Sequence, residues 1–250
     1  VLGKINNITK IAENVENQQN GILMFHSVGE GYGNPNGQNY PVERFRKDLQ
    51  SITNRYKIVD LPAVFDTGTE KRVALTFDDG YQNFYRNVYP VLRELEVPAT
   101  VFVVAGLLYQ PDSSKSHLLD GYEQAPSVMN LSQVQEVAEQ DLITVGNHTM
   151  THASLTELTD QNAIEAEIIE SKRLIERLVG TEVSRFCYPG GKYNKRIRDV
   201  VATSHDLAVS VETGLVTAQT DPYTLPRIEA AQDPALRDWE LTDTAFKLFQ

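Results

Sequence analysis

Cys187 is the one cysteine in 250 residues, so no disulfide can form within the chain and the redox compartment cannot be read from pairing. Cations are also few. Against 34 Asp and Glu stand 23 Lys and Arg, a formal charge of -11. That balance excludes a protein built to neutralise phosphate backbones, so nucleic acid is not an expected partner. It is compatible with a neutral glycan partner, and an acidic surface also serves solubility alone. No apolar run reaches the ~18 residues of a membrane-spanning helix. The amino terminus, Val1-Leu2-Gly3-Lys4, lacks the charged-then-apolar order of a secretory signal. The chain starts on Val, so removal of an upstream signal would favour an extracellular or cell-envelope location; without one the expectation is cytoplasmic. Oligomeric state leaves no mark in the sequence.

Apolar runs of strand length recur at Ile22–Phe25, Tyr56–Leu61, Val73–Phe77, Ala99–Val104, Leu142–Val145, Phe186–Tyr188, Leu207–Val211 and Leu225–Ile228. Most are apolar throughout rather than alternating, as buried parallel strands are. Helix-like segments lie between them at Val42–Ser51, Tyr85–Leu95, Ser132–Glu139, Asp160–Val179 and Asn194–Thr203, with cap signals at Ser132 and at Thr159 or Asp160. Such alternation predicts a parallel sheet, and seven or eight units predict a closed or nearly closed α/β barrel, for which this length suits a single domain. The expected organisation is a polar leader over 1–20, a catalytic domain over 21–230 and an amphipathic helix over 231–250 docked outside it. Residues 105 to 130 interrupt the rhythm with turn-forming residues and read as a lid, a binding loop or a mobile segment.

The run Val73-Ala74-Leu75-Thr76-Phe77 feeds directly into Asp78-Asp79-Gly80, which sets two carboxylates at the C-terminal end of a strand, the face where such barrels carry catalysis. One can ligate a metal while the other stays free as a base. Alone, Asp-Asp-Gly equally reads as a turn capping the next helix. A second constellation, Gly146-Asn147-His148-Thr149-Met150-Thr151-His152, again follows an apolar strand. Its two His share a face if one helical turn joins them; a pair of surface His is the plainer reading. Together, one Asp and two His supply the three protein ligands of a catalytic zinc site that keeps a position open. Such a metal polarises a carbonyl and lowers the pKa of water, and Asp78 can then take the proton.

Thr76-Phe77-Asp78-Asp79-Gly80 followed by His148-Thr149-Met150-Thr151-His152 resembles the first two motifs of the polysaccharide deacetylases, the NodB-homology family of carbohydrate esterases. The resemblance runs from about Gly21 to Ile228 and takes in Leu23-Met24-Phe25-His26 and Ala99-Thr100-Val101-Phe102. It implies a distorted (β/α)7 TIM-like barrel with Asp78 as general base. It also implies one divalent metal on Asp79, His148 and His152, zinc first and cobalt, nickel, manganese or iron as alternatives, and an N-acetylated glycan as substrate.

Later motifs depart from the family pattern. Where it commonly reads Phe-Arg-Pro-Pro-Tyr-Gly, this chain has Phe186-Cys187-Tyr188-Pro189-Gly190-Gly191, so the arginine that would orient the base is Cys187. A Phe-Ala-Tyr-Pro-like variant resembles the branch acting on poly-N-acetylglucosamine, and Tyr188, Pro189 and Gly190 become expected substrate contacts, in a loop whose backbone N–H groups, Pro189 apart, can serve an oxyanion. Leu225-Pro226-Arg227 stands where the family has Leu-x-His, whose His is the general acid. Arg227 can stabilise charge or orient Asp78 but is a poor proton donor. His26 is one candidate acid, a structural hydrogen bond being the alternative; His205 and His117 read as surface residues. The expected activity is N-deacetylation. Two alternatives stay open: a small-molecule amide hydrolase on the same fold, and a carbohydrate-binding protein with weak or no catalysis.

Overall fold

A computed structural model describes residues 19–29, 40–66, 68, 70–109, 117–119 and 127–230. The leader up to residue 18, much of the 105–130 loop and the tail expected to be helical over 231–250 lie outside the described residues.

The described residues form eight parallel strands: β1 Gly21–Phe25, β2 Lys57–Ile58, β3 Arg72–Phe77, β4 Ala99–Val103, β5 Ile143–Asn147, β6 Arg185–Cys187, β7 Leu207–Thr213 and β8 Leu225–Glu229. Seven of them close on themselves in the order β1-β8-β7-β6-β5-β4-β3, because β3 also pairs with β1 from Gly21↔Val73 to Phe25↔Phe77. The short β2 pairs with the start of β3 at Lys57↔Arg72 and Ile58↔Val73, and β4 takes over at Thr76↔Thr100. The result is the expected (β/α)7 barrel, distorted at that seam. The predicted strand Tyr56–Leu61 shortens to β2 because Pro62 presets a 3-10 turn over Leu61–Phe65.

Side chains alternate between the two faces of each strand. Ile22, Ala74, Phe102, Cys187, Val209 and Leu225 form one buried cluster, the barrel interior, with Leu61 and Val64 closing it. Their neighbours Leu23, Phe25, Leu75, Phe77 and Val101 pack outward against helices. Phe25 and Phe77 stack with ring centroids 5.0 Å apart, and Phe45 and Phe84 meet Phe77 edge-on. Burying each such ring contributes about 1.5–3 kcal/mol, so the backbone that runs on into His26 and Asp78 is firmly held. Gly146 of β5 has a packing reason: a Cβ there would sit 2.4 Å from the Phe102 ring.

The outer layer comprises α1 Val42–Thr53, α2 Tyr89–Glu94, α3 Ala105–Tyr109, α4 Leu131–Ala138, α5 Gln161–Glu165, α6 Ser171–Val179 and α7 Lys195–Ala202. π-helical turns precede α2 (Phe84–Val88) and join α5 to α6 (Ala166–Glu170), so the helix predicted over Asp160–Val179 is not uniform. Asp160 caps α5 through Ala163 N–H, and Asn194 caps α7. The cap of α4 is Asn130, in a reciprocal box with Gln133, rather than Ser132. No helix among the described residues is long and apolar enough to cross a membrane.

Candidate metal centre

Parallel strands deliver their C-terminal residues to one end of the barrel, and five strands contribute there. Asp78 leaves β3 with its N–H bonded to the Phe25 carbonyl at 2.9 Å, which sets it beside His26 at the end of β1. Alternation turns Asp78 into the barrel, where it meets Arg227 of β8.

Arg227 Nη1 and Nη2 donate to the two Asp78 carboxylate oxygens at 2.8 and 2.7 Å. Its remaining donors go to the Ser210 carbonyl (2.7 Å), Thr76 Oγ1 (3.1 Å) and Cys187 Sγ (3.4 Å). All five guanidinium N–H groups therefore have protein acceptors, and the side chain is 0% exposed. Of the two roles expected of Arg227, stabilising charge or orienting Asp78, the geometry favours the second, since every donor is already engaged. The small Cys187 side chain on β6 leaves room for this guanidinium, so the cation paired with Asp78 comes from β8. Burial alone would raise the Asp78 pKa, but the charge and hydrogen bonds of Arg227 outweigh it and hold the carboxyl below its ordinary value.

Asp79 has a left-handed backbone (φ 71°), which turns its carboxylate away from Asp78 and toward the two histidines. Asp79 Oδ1 lies 3.3 Å from His148 Nε2 and 3.5 Å from His152 Nε2, and one donor atom from each residue falls within 4.8 Å of the others. His148 Nδ1 is 2.9 Å from the Cys187 carbonyl, which can only accept. Nδ1 therefore carries a proton and Nε2 is the nitrogen that faces Asp79; burial works against charge on this ring, but Cys187 and the Asp79 hydrogen bond raise its pKa well above the ordinary value, so a metal bound at Nε2 would take the place of a proton there. Burial and the neighbouring His148 push His152 down to about 4, so its imidazole is neutral near pH 7. Burial also works against charge on Asp79, but the His148 hydrogen bond and the adjacent imidazoles keep it well below the usual carboxylate range. A carboxylate and two imidazole nitrogens converging on one point suit a zinc-type divalent cation. A second grouping of Asp78, His148 and Cys187 does not, because the Arg227 cation already bonds both Asp78 and Cys187.

No helical turn joins the two histidines. Residues 148–152 form a bend in which Thr149 (φ 69°) and His152 (φ 62°) are left-handed, and this brings the rings to 4.8 Å between centroids. Short-range capping makes the bend: Asn147 Oδ1 accepts Thr149 N–H, and Thr149 Oγ1 accepts His152 N–H, both at 3.0 Å.

His26 Nε2 stands 3.9 Å from Asp78 Oδ2, with its side chain 27% exposed at the mouth. Tyr188, expected to contact substrate, instead turns outward into the layer between barrel and helices, where its hydroxyl donates to the Tyr223 carbonyl. Pro189 is buried as well, and Gly190 is the exposed residue of that turn. His205 is not a surface residue. Its Nε2 meets Asn147 Nδ2 at 3.2 Å, and burial pushes its pKa down to about 3. His117 is exposed. Sequence reasoning also passed over Glu229, whose carboxyl, at the end of β8, is pushed up by burial, and Glu167, which binds the 148–152 bend. Glu229 falls two residues beyond Arg227 on the same strand face, a signal that period-two counting could have found.

A family profile described as polysaccharide deacetylase matches residues 66–207. YxkH of Bacillus subtilis, a protein that carries a polysaccharide deacetylase name, is 28% identical over 218 residues, covering 84% of this chain and 71% of that one. The poly-β-1,6-N-acetyl-D-glucosamine N-deacetylase of Escherichia coli is 29% identical over 199 residues, which cover 68% of this chain; the match spans only 29% of that enzyme. Among solved structures, the deacetylase PplD of Streptococcus pyogenes, in complex with acetate, superposes with a TM-score of 0.76 at 22% identity, covering 90% of this chain and 97% of that one. At that identity the likeness speaks for the fold.

Proposed function

Because this chain belongs to the polysaccharide deacetylase family, we propose that it hydrolyses N-acetyl groups on N-acetylhexosamine-containing poly- or oligosaccharides. Asp78 is the general base, and Asp79, His148 and His152 are the ligands of one divalent cation, zinc in the first instance. The reading rests on one observation above all: two neighbouring carboxylates are sorted by the fold into separate roles, Asp78 paired with Arg227 and Asp79 facing two imidazoles.

The cation, when bound, supplies Lewis acidity that polarises an amide carbonyl and acidifies water beside it. Asp78 is ionised near pH 7 and takes a proton from the attacking water. Oxygen bonds to the acetamide carbon, the C–N bond breaks, and the products are acetate and a free amine. The amine needs one proton as it leaves, and His26, at the mouth and 3.9 Å from Asp78, is the group proposed to hand it over. The backbone amide of exposed Gly190 is the proposed oxyanion donor, since Tyr188 N–H already donates to the Val209 carbonyl and Pro189 has no N–H. The names of the E. coli relative and of a Staphylococcus epidermidis relative (22% identical over 182 residues) favour poly-β-1,6-N-acetylglucosamine as the substrate class.

The test is acetate release from β-1,6-linked N-acetylglucosamine oligomers by zinc-reconstituted protein, alongside Asp78→Asn and His148→Ala. Release by wild type and loss in both variants is the expected result. Tight zinc binding without acetate from any acetylated oligosaccharide would overturn the reading.

A further inference from the structure

The bend that carries His152 has two left-handed residues that are not glycine, Thr149 and His152. Such backbone is strained by roughly 1–2 kcal/mol per residue and persists only where surrounding contacts dictate it. Here they do. The Thr149 and Met150 carbonyls accept from Ala105 and Gly106 N–H at 3.0 and 2.9 Å. On the other side, a single carboxylate receives three of the bend's own donors. Glu167 Oε2 accepts Met150 N–H at 3.0 Å and Thr151 N–H at 2.9 Å, while Oε1 accepts Thr151 Oγ1–H at 2.7 Å.

Glu167 can do this because of where it sits. It belongs to the π-helical turn Ala166–Glu170, in which the repeat is wider than in the α-helix. The Ile168 carbonyl of this turn accepts Asn147 Nδ2 at 2.9 Å and Ser171 Oγ at 3.0 Å, and Ser171 Oγ also lies 2.6 Å from the Glu167 carbonyl. Both ends of the bend thus hang from one turn: Asn147, before His148, from Ile168, and Met150-Thr151, before His152, from Glu167. Within that grip, Thr149 Oγ1 fixes His152 N–H.

We infer that Glu167, presented by the π-helical turn, is a positioning residue that sets metal affinity by holding the bend between His148 and His152 in its strained shape, without touching metal or substrate. The inference rests on the metal reading proposed above. It predicts that Glu167 governs how tightly a cation is held, beyond any effect on folding.

The test is calorimetric zinc titration of the apoprotein and the visible absorption of the cobalt(II) form, for wild type, Glu167→Ala, Glu167→Gln, Thr151→Val and Glu170→Ala. Glu170 lies on the same turn but pairs with Arg173 at the surface, so Glu170→Ala removes the same charge and leaves the bend alone. Glu167→Ala is expected to weaken zinc binding by roughly 10–100-fold, as loss of an outer partner of a ligand does, and to alter the cobalt spectrum. Glu167→Gln retains an oxygen that can accept the two backbone N–H groups, so it should recover most of that loss. Thr151→Val, which deletes one of the three bonds and leaves the carboxylate, should show a smaller loss of the same sign and serves if Glu167→Ala does not fold. Glu170→Ala should match wild type. Zinc affinity within about twofold of wild type in Glu167→Ala, with an unchanged cobalt spectrum, would overturn the inference while leaving the metal reading intact. Equal losses in all the variants, Glu170→Ala included, would also overturn it. If wild type binds neither metal, the metal reading fails and this inference falls with it.

Discussion

Replacing Arg227 with Met removes the guanidinium bonded to both Asp78 oxygens while keeping a long side chain in the space beside Cys187. Two outcomes compete for the buried carboxylate left behind. If it stays ionised, an uncompensated buried charge costs about 3–5 kcal/mol. If it takes up a proton, burial now decides its pKa, which moves from below to above the ordinary carboxylate value. For a chain of this size, that loss lowers the melting temperature by about 6–20 °C near pH 7. The pH dependence must also change sign. In wild type the folded pKa is lowered, so the contribution of Asp78 to stability is present above the unfolded value of about 3.9 and is lost as pH falls through the folded one. In Arg227→Met the folded pKa is raised, so the variant regains stability as pH falls through that value. The acid limb of acetate release should shift upward with it, since the base must be ionised to work. Calorimetric melting across pH, read beside the pH–rate profile, measures both effects. A variant that melts within about 2 °C of wild type at neutral pH, with an unmoved acid limb, would refute the assignment of Arg227 as the partner that keeps Asp78 charged.

Other perturbations follow from the same geometry. The His205 pKa is lowered to about 3 in the folded chain, against about 6.5 unfolded, so its neutral form contributes fully above the unfolded value. Stability should then fall by about 1.4 kcal/mol per pH unit below that value; urea unfolding of wild type and His205→Gln across this range should converge as pH falls, and parallel curves would contradict the assignment. Gly146→Ala forces a methyl against Phe102 and should cost about 1–3 kcal/mol in denaturant unfolding, with Phe102→Leu restoring part of it. Chelation of a zinc-loaded sample should stop acetate release and lower the melting temperature by about 5–10 °C if zinc had been present at about a hundred times its dissociation constant. His152→Ala should remove that zinc-dependent rise; an equal rise in the variant would exclude His152 as a ligand.

The architecture was legible because its signals are local. Runs such as Val73–Phe77 and Ala99–Val103 are buried on both faces, as strands of a helix-covered parallel sheet are, and the cap at Asp160 is short-range chemistry. The same holds for Asp78, Asp79, His148 and His152: their residue types, each directly after a strand, named the participants. What sequence could not supply was direction. Tyr188 reads as a substrate contact until strand alternation turns it outward to Tyr223, and His205 reads as surface until β5 and its helix close over it. The two-histidine spacing would put both rings on one face of a helical turn, but a bend forms instead, because Asn147, Thr149 and Glu167 satisfy its backbone from side chains. Cys187 reads as the loss of an arginine until β6 and β8 are brought to one wall, where Arg227 fills that room and reaches Asp78 across 149 positions of sequence. Periodicity determined which elements form, and the residues that end the strands named the candidates for the site. Which carboxylate is paired, which is left to face the histidines, and what holds those histidines in place depend on contacts between distant segments, and these exist only once the barrel has closed.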